Sequence, residues 1–123
     1  MSRHATGRSW EKAARAYLAK RGLDILQERY RCRLGEIDLV CRDGETIVIV
    51  EVRARRSGSF ASAIDSVDAN KQRKIILATK HMLMRNPHWH SQPLRFDVIA
   101  VSDIDTATPS IQWLKNAFDT GSL

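Results

Sequence analysis

Two acidic residues on neighbouring predicted strands are the side chains of this sequence best suited to chemistry. Asp38 and Glu51 each lie in an apolar run, and Asp43-Gly44 separates the runs. An Asp-Gly dipeptide between two such runs favours a β-hairpin, because glycine accepts the positive φ of a tight two-residue turn. If these are the two loop residues, Asp38 and Glu51 are diagonal neighbours with Cβ atoms about 7 Å apart. Two carboxylates at that separation can bind one cation, and Mg²⁺ suits such a site.

Strand alternation divides this hairpin into a charged and an apolar face. The pairs in the predicted register are Arg42 with Glu45, Val40 with Ile47, Asp38 with Ile49 and Glu36 with Glu51. The apolar face then carries Ile37, Leu39, Cys41, Val48, Val50 and Val52. Like charges this close raise the pKa of at least one acid unless a cation lies between them. The alternative interpretation is a solvated acidic face, neutralised by Arg53 and Arg55.

The composition predicts one domain with a nucleic-acid partner. The chain has 123 residues and a formal net charge of +6, with a pI near 9.8. We expect a single domain over 1–123, with 1–8 and 119–123 flexible. A basic balance favours an acidic partner, usually nucleic acid. Because there is no signal-peptide pattern and no apolar run of about 18 residues, we expect a cytoplasmic protein that does not enter membranes.

Basic residues flank the acidic pair on both sides in sequence. Arg29, Arg31 and Arg33 alternate along a predicted strand and would share one face, where they could contact phosphates. The others are Arg53, Arg55, Arg56, Lys71, Arg73 and Lys74. Positive charge of this kind lets a polyanion approach two acids, although charge on an outer face is also compatible with plain solvation.

Hydrophobic periodicity gives the order α, β, β, β, α, β and one uncertain element. A helix is predicted over 9–21, capped by Ser9, and its apolar stripe is Trp10, Ala13, Ala14, Tyr17 and Leu18. A strand follows over 23–33, before the hairpin. The helical segment 61–85 is divided near residues 68–70. A strand over 95–101 should lie parallel to the second hairpin strand, because a helical crossover joins them. Residues 110–118 form a strand or a short helix.

This order, with its acidic residues, resembles the restriction-endonuclease-like fold and its PD-(D/E)XK active site. More closely, the chain resembles the YraN-like family of uncharacterised bacterial proteins, which is related to Holliday-junction resolvases. The resemblance implies an α/β domain with a central mixed sheet of four or five strands flanked by helices. The residues that carry it are Gly35-Glu36-Ile37-Asp38-Leu39-Val40, Val50-Glu51-Val52-Arg53-Ala54-Arg55, Lys71 and Arg95-Phe96-Asp97-Val98-Ile99.

The resemblance also implies roles for individual residues. Asp38 and Glu51 would be the ligands of Mg²⁺ or Mn²⁺, joined by Glu11 and by the backbone carbonyl of Val52. Arg53 stands where the motif has its catalytic lysine. Arginine can bind a phosphate but is a poor general base, so Lys71 is the candidate for the missing amine. The residues expected to contact nucleic acid are Arg31, Arg33, Arg55, Arg56, Lys71 and Arg73. Resolvases of this kind act as dimers, so a homodimer is expected.

Three hypotheses follow. The first is a metal-dependent nuclease that hydrolyses phosphodiester bonds in branched DNA, with Asp38, Glu51, Arg53 and Lys71 at the catalytic site. The second is a nuclease-fold domain that binds nucleic acid without cleaving it, which the arginine at position 53 favours. The third is a protein-interaction module with an incidental acidic pair.

Overall fold

A five-stranded mixed β-sheet forms the centre of the computed structural model. The structure describes residues 3–56, 59–104 and 106–120, with side chains from residue 9 onward. The elements are α1 (Arg3–Lys20), β1 (Asp24–Cys32), β2 (Gly35–Asp43), β3 (Thr46–Ala54), α2 (Phe60–Asp65), α3 (Ala69–Arg85), a 3₁₀ turn (Pro87–Trp89), β4 (Leu94–Ser102) and β5 (Ser110–Phe118). The strands lie in the order β1-β2-β3-β4-β5. Only β3 and β4 are parallel neighbours, while the other pairs are antiparallel.

The predicted α/β fold class and element order are confirmed, and the uncertain last element is the strand β5. This arrangement is consistent with the restriction-endonuclease-like fold. The predicted start of the first helix is wrong, because α1 begins at Arg3 rather than after Ser9. Residues 3–8 include no large apolar side chain, so the apolar periodicity starts only at Trp10. The flexibility expected of residues 1–2 and 121–123 concerns residues outside the described ranges.

The predicted division of the second helical segment is confirmed, and it has a clear local cause. Asp68 precedes α3 in an extended conformation, and its Oδ1 accepts a hydrogen bond from the backbone N–H of Lys71 at 2.9 Å. A side chain that accepts from the third helical N–H is a standard helix N-cap. The cap therefore fixes where α3 begins and places Lys71 in its first turn.

Helices cover both faces of the sheet, so the hairpin has no open face. On one face Ala14 and Leu18 of α1 pack against a cluster that includes Leu39, Val48 and Val50. On the other face a second cluster joins the sheet to α3, and its members include Ile37, Val40, Ile47, Ile49, Ile75, Ala78 and Met82. The prediction of a single apolar hairpin face is therefore wrong.

Ile37 was expected to share a face with Leu39, but it belongs to the cluster on the α3 side. The alternation of β2 is thus interrupted next to Asp38. The β1–β2 pairs Glu28–Leu39 and Tyr30–Ile37 set Arg29 opposite Asp38. Arg29 has a φ of +52°, which a regular strand does not allow, and this irregularity accounts for the break.

The hairpin loop lies one residue further along the chain than predicted, so each residue of β2 pairs with a residue of β3 two positions beyond its predicted partner. Asp43 pairs with Thr46 and Leu39 with Val50, so the two loop residues are Gly44 and Glu45. Gly44 has a φ of +63°, as the first loop residue of a type II′ turn requires. Asp43 remains in the strand, where its Oδ2 lies 3.0 Å from Nη1 of Arg95. Local sequence allows both turns, and in the observed register Asp43 forms this long-range ion pair.

The buried carboxylate of Asp97 in β4 is hydrogen-bonded to β5. Asp97 is fully buried and accepts hydrogen bonds from the indole N–H of Trp113 and the backbone N–H of Asn116, both at 2.9 Å. Its ion-pair partner is Arg95, with Nε at 3.1 Å from Oδ1. A charge can be buried in this way because each of these contacts replaces hydration.

No helix in the described part of the chain has both the length and the apolar character needed to cross a membrane.

Gly35 provides a test of how closely the β1–β2 turn packs on α3. A Cβ at this position would lie 2.7 Å from the backbone oxygen of Lys74. Because backbone cannot move aside cheaply, Gly35→Ala should lower the free energy of unfolding by about 1–3 kcal/mol in urea titrations. The neighbouring Leu34→Ala, at a side chain that is 48% exposed, is the control and should change it by only about 0.5 kcal/mol. Equal stability of Gly35→Ala and wild type would contradict the close packing.

Candidate functional site

Asp38 and Glu51 lie side by side in the sheet. Continuing the observed register by one residue from the Leu39–Val50 pair sets them directly opposite each other, not diagonally as predicted. Their side chains are hydrogen-bonded to each other, and Oδ2 of Asp38 also accepts from the backbone N–H of Val52 at 2.8 Å. The side chain of Glu51 is only 4% exposed. The interpretation of this pair as solvated acids on an open face is therefore wrong.

Two cationic side chains reach the same oxygen of this pair. Nζ of Lys71 lies 3.7 Å, and Nε of Arg53 3.5 Å, from Oε2 of Glu51. Nη2 of Arg53 also donates to the backbone oxygen of Ser66 at 3.3 Å, which fixes the guanidinium beside the acids. Nε of Arg53 is buried and makes no hydrogen bond of good geometry. The four residues predicted to be catalytic are thus brought together from three elements, and their catalytic role stays a prediction.

Burial changes the protonation of the acidic pair. It raises the pKa of Glu51 from its ordinary 4.5 to about 8, and the charge of Asp38 acts in the same direction. Lys71 and Arg53 oppose this rise only partly. Burial also raises the pKa of Asp38. Two adjacent buried carboxyls titrate as a unit, so near neutral pH the pair retains a proton that a bound cation would displace.

The donor set fits a hard divalent cation held mainly by two carboxylates. Mg²⁺ is commonly bound by one or two carboxylates, with water and phosphate oxygens completing its shell. The third predicted acid, Glu11, lies close enough for its charge to help raise the pKa of Asp38, but its Oε2 accepts from Nε of Arg29 at 2.8 Å. Within the described ranges there is no group of three or more His, Cys, Asp or Glu side chains arranged to hold a metal. The ligand roles of Glu11 and of the Val52 carbonyl stay predictions.

The residues predicted to contact nucleic acid are distributed over more than one surface. Arg55 lies near the pair, with Nη2 donating to the backbone oxygen of Ser62 at 3.2 Å. Arg31 instead pairs with Glu36 at 3.2 Å. Arg33 lies beside Leu34 and His81, in a different pocket. Arg56 and Arg73 are exposed.

A cleft of about 460 Å³ opens beside the acidic pair. Its lining residues are Trp10, Glu11, Val52, Arg53, Ala54, Arg55 and Ser66. Trp10 was predicted only as a member of the helix core, and Arg29 only as one of a row of arginines able to contact phosphates, so the places of both beside the candidate site were missed. Arg29 could have been found only from the β1–β2 register, which sets it opposite Asp38. Trp10 could have been noticed because it directly precedes Glu11.

Comparison with known proteins relates this chain to one protein family. Residues 10–101 match the sequence model described as "Uncharacterised protein family UPF0102". The chain is similar to a UPF0102 protein of Ectopseudomonas mendocina, with 47% identity over 96% of this chain and 98% of the relative. It is 44% identical to a UPF0102 protein of Pseudomonas putida strain GB-1 over 92% of both chains. A UPF0102 protein of Alcanivorax borkumensis is 44% identical over 95% of this chain and 94% of its own length.

The raised pKa of Glu51 predicts how stability depends on pH. Between about pH 4.5 and pH 8 the folded protein holds a proton that the unfolded chain releases. The free energy of unfolding should therefore fall as pH rises through this window, by at most about 1.4 kcal/mol per pH unit for one proton. Urea titrations in EDTA from pH 5 to pH 8 measure this slope, which Glu51→Gln should flatten. Glu45→Gln, in the exposed hairpin loop, should keep it. Parallel curves for wild type and Glu51→Gln would show that Glu51 does not hold the proton.

Proposed function

We propose that this chain, which belongs to the uncharacterised protein family UPF0102, is a metal-dependent nuclease that hydrolyses phosphodiester bonds in DNA. The observation that supports the proposal is the pairing of the partly buried Asp38 with the buried Glu51, with Lys71 and Arg53 within 4 Å of one oxygen of Glu51. Carboxylates that hold a divalent cation and cations that face an incoming phosphate are what such a reaction needs. The resemblance to Holliday-junction resolvases favours branched DNA as the substrate and a homodimer as the active form.

Each side chain has a distinct role in this proposal. Asp38 and Glu51 would hold Mg²⁺ or Mn²⁺, which when bound lowers the pKa of a water molecule and neutralises charge on the phosphate. Arg53 offers a planar fork of N–H donors that can bind a phosphate oxygen. Lys71 presents a flexible ammonium next to Glu51 and would supply the amine that the motif's lysine position lacks here. Val52 orients Asp38 through its backbone N–H.

A nuclease-fold domain that binds nucleic acid without cleaving it is the second candidate. Two observations favour it: arginine occupies the position of the motif's lysine, and Glu11 is held by Arg29 rather than added to the pair. A protein of this kind would still contact phosphates but would not hydrolyse them. A protein-interaction module would lack both, so cleavage and salt-dependent binding separate all three.

Metal binding and cleavage test the acidic pair directly. Wild type should bind Mn²⁺ or Mg²⁺ in calorimetry and cleave labelled junction, flap or duplex DNA in their presence. Glu51→Ala should lower the cleavage rate by about 100-fold or more, because removing a ligand costs more than removing a residue that only orients one. Asp38→Ala with Glu51→Ala should abolish metal binding, and Glu45→Ala in the hairpin loop should change neither. Cleavage that survives in Glu51→Ala would point to a contaminating nuclease, and metal binding with no cleavage would favour the second candidate.

Salt dependence tests the predicted phosphate contacts. The logarithm of DNA affinity should fall linearly with the logarithm of salt concentration, since each neutralised phosphate releases counterions. Arg55→Ala should make this slope less steep by about one unit. Lys20→Ala is the matched control, because Lys20 is exposed and lies about 15 Å along α1 from Trp10 at 1.5 Å per residue. A slope unchanged by Arg55→Ala would remove Arg55 from the DNA contacts.

A further inference from the structure

We infer that the cleft beside the acidic pair binds one unpaired nucleobase, stacked on Trp10, next to the phosphodiester that the pair would cleave. The substrate class is then a strand with unpaired nucleotides at the reacting phosphate, such as a single strand or a branch point, and not continuous duplex. This inference rests on the proposed function, because it assigns the substrate of that same site.

The position of Trp10 is not explained by core packing. It belongs to the predicted apolar stripe of α1, and the next members of that stripe, Ala14 and Leu18, are fully buried against the sheet. Tyr17 is partly buried and packs against the same cluster. Within the described residues, Trp10 is not among those that pack there, and it lines the cleft instead. A partly exposed tryptophan in a concave site is typical of a binding contact.

The cleft combines this aromatic side chain with two fixed arginines. Arg53 and Arg55 each use Nη2 to bind a backbone oxygen, of Ser66 and Ser62 respectively. A guanidinium carries five N–H donors, so these contacts fix its position while leaving donors for a ligand. The cleft therefore suits a ligand that is flat and aromatic in one part and anionic in the other, as a nucleotide is.

The cleft adjoins the acidic pair through two residues of β3, Val52 and Arg53. Val52 lines the cleft, and its backbone N–H is hydrogen-bonded to Asp38. Glu51, the residue before it, is in contact with Arg53 on the cleft wall. A nucleotide with its phosphate at the pair would thus have its base in the adjoining space. At about 460 Å³ the cleft lies within the range of about 300–1,000 Å³ of small-ligand sites.

Only an unpaired base can present its flat face to Trp10. In a duplex both faces of each base are covered by stacked neighbours, and proteins reach mainly the base edges in the grooves. Single-strand-binding proteins use aromatic side chains as stacking platforms because splayed bases expose their faces. The competing arrangement is a tryptophan wedged between base pairs of duplex DNA, which would make Trp10 equally important for duplex binding.

Binding without catalysis tests the inference independently of cleavage. In EDTA, fluorescence anisotropy would compare a labelled oligothymidine of about 12 nucleotides, within known single-strand site sizes, with a fully paired two-strand duplex of the same length. Trp10→Ala should weaken oligothymidine binding about tenfold, the size expected for one lost base stack, and leave duplex binding unchanged. Trp10→Phe should retain most of the affinity. The control Met84→Ala, which truncates a 73% exposed side chain of α3, should have no effect.

The outcomes separate this inference from the proposed function. Unchanged single-strand affinity in Trp10→Ala, or an equal loss on both probes, overturns the stacking site even if wild type cleaves DNA. A wild type that binds neither probe overturns the nucleic-acid function together with the inference. Should Trp10→Ala fail to fold, wild type can be cross-linked to oligothymidine carrying 5-bromouracil and mapped by mass spectrometry. Adducts on the peptide containing Trp10 are expected, and adducts only on other peptides overturn the inference.

Discussion

The contact between the carboxyls of Asp38, which is partly buried, and Glu51, which is buried, is the constraint on which the rest of the structure depends. Two acids inside a sheet lose hydration and repel each other, so the arrangement exists only where other groups compensate. Here Lys71 and Arg53 supply positive charge and the pair retains a proton. Without the packing of helices on both sheet faces, these acids would be ordinary solvated groups.

The topology explains how the cationic side chains of Arg53 and Lys71 come to lie beside the acidic pair. β3 and β4 are parallel, so the chain must leave the end of β3 that carries Glu51 and return by a crossover to start β4. The crossover contains α2 and α3, whose junction lies at the same end of the sheet. Backbone oxygens of Ser62 and Ser66 therefore bind Arg55 and Arg53, and the Asp68 cap starts α3 where Lys71 faces Glu51.

The ion pair between Glu11 and Arg29 competes with the binding of a cation by Glu11. An arginine that holds the third acid by a 2.8 Å hydrogen bond limits the anionic charge available to a cation, and it positions the middle of α1 against β1. That same part of α1 carries Trp10 at the cleft. The positions of Glu11 and Trp10 therefore both depend on the contact between Glu11 and Arg29, and a substitution of Arg29 would disturb both.

The sequence by itself determined the order of the first elements and the residues of the acidic pair, because hydrophobic periodicity and a glycine-containing turn between two apolar runs are local signals. It did not determine the register, since Asp43-Gly44 and Gly44-Glu45 both make acceptable loops. Only in the folded sheet does Arg95 hold Asp43 in β2, which moves Asp38 from a diagonal position to one opposite Glu51. The strand character of 110–118 was ambiguous for the same reason, because its contacts with buried Asp97 come from another strand. The tertiary structure alone placed Trp10 at the cleft and Glu11 on Arg29, since both contacts join residues whose sequence separation carries no periodic signal.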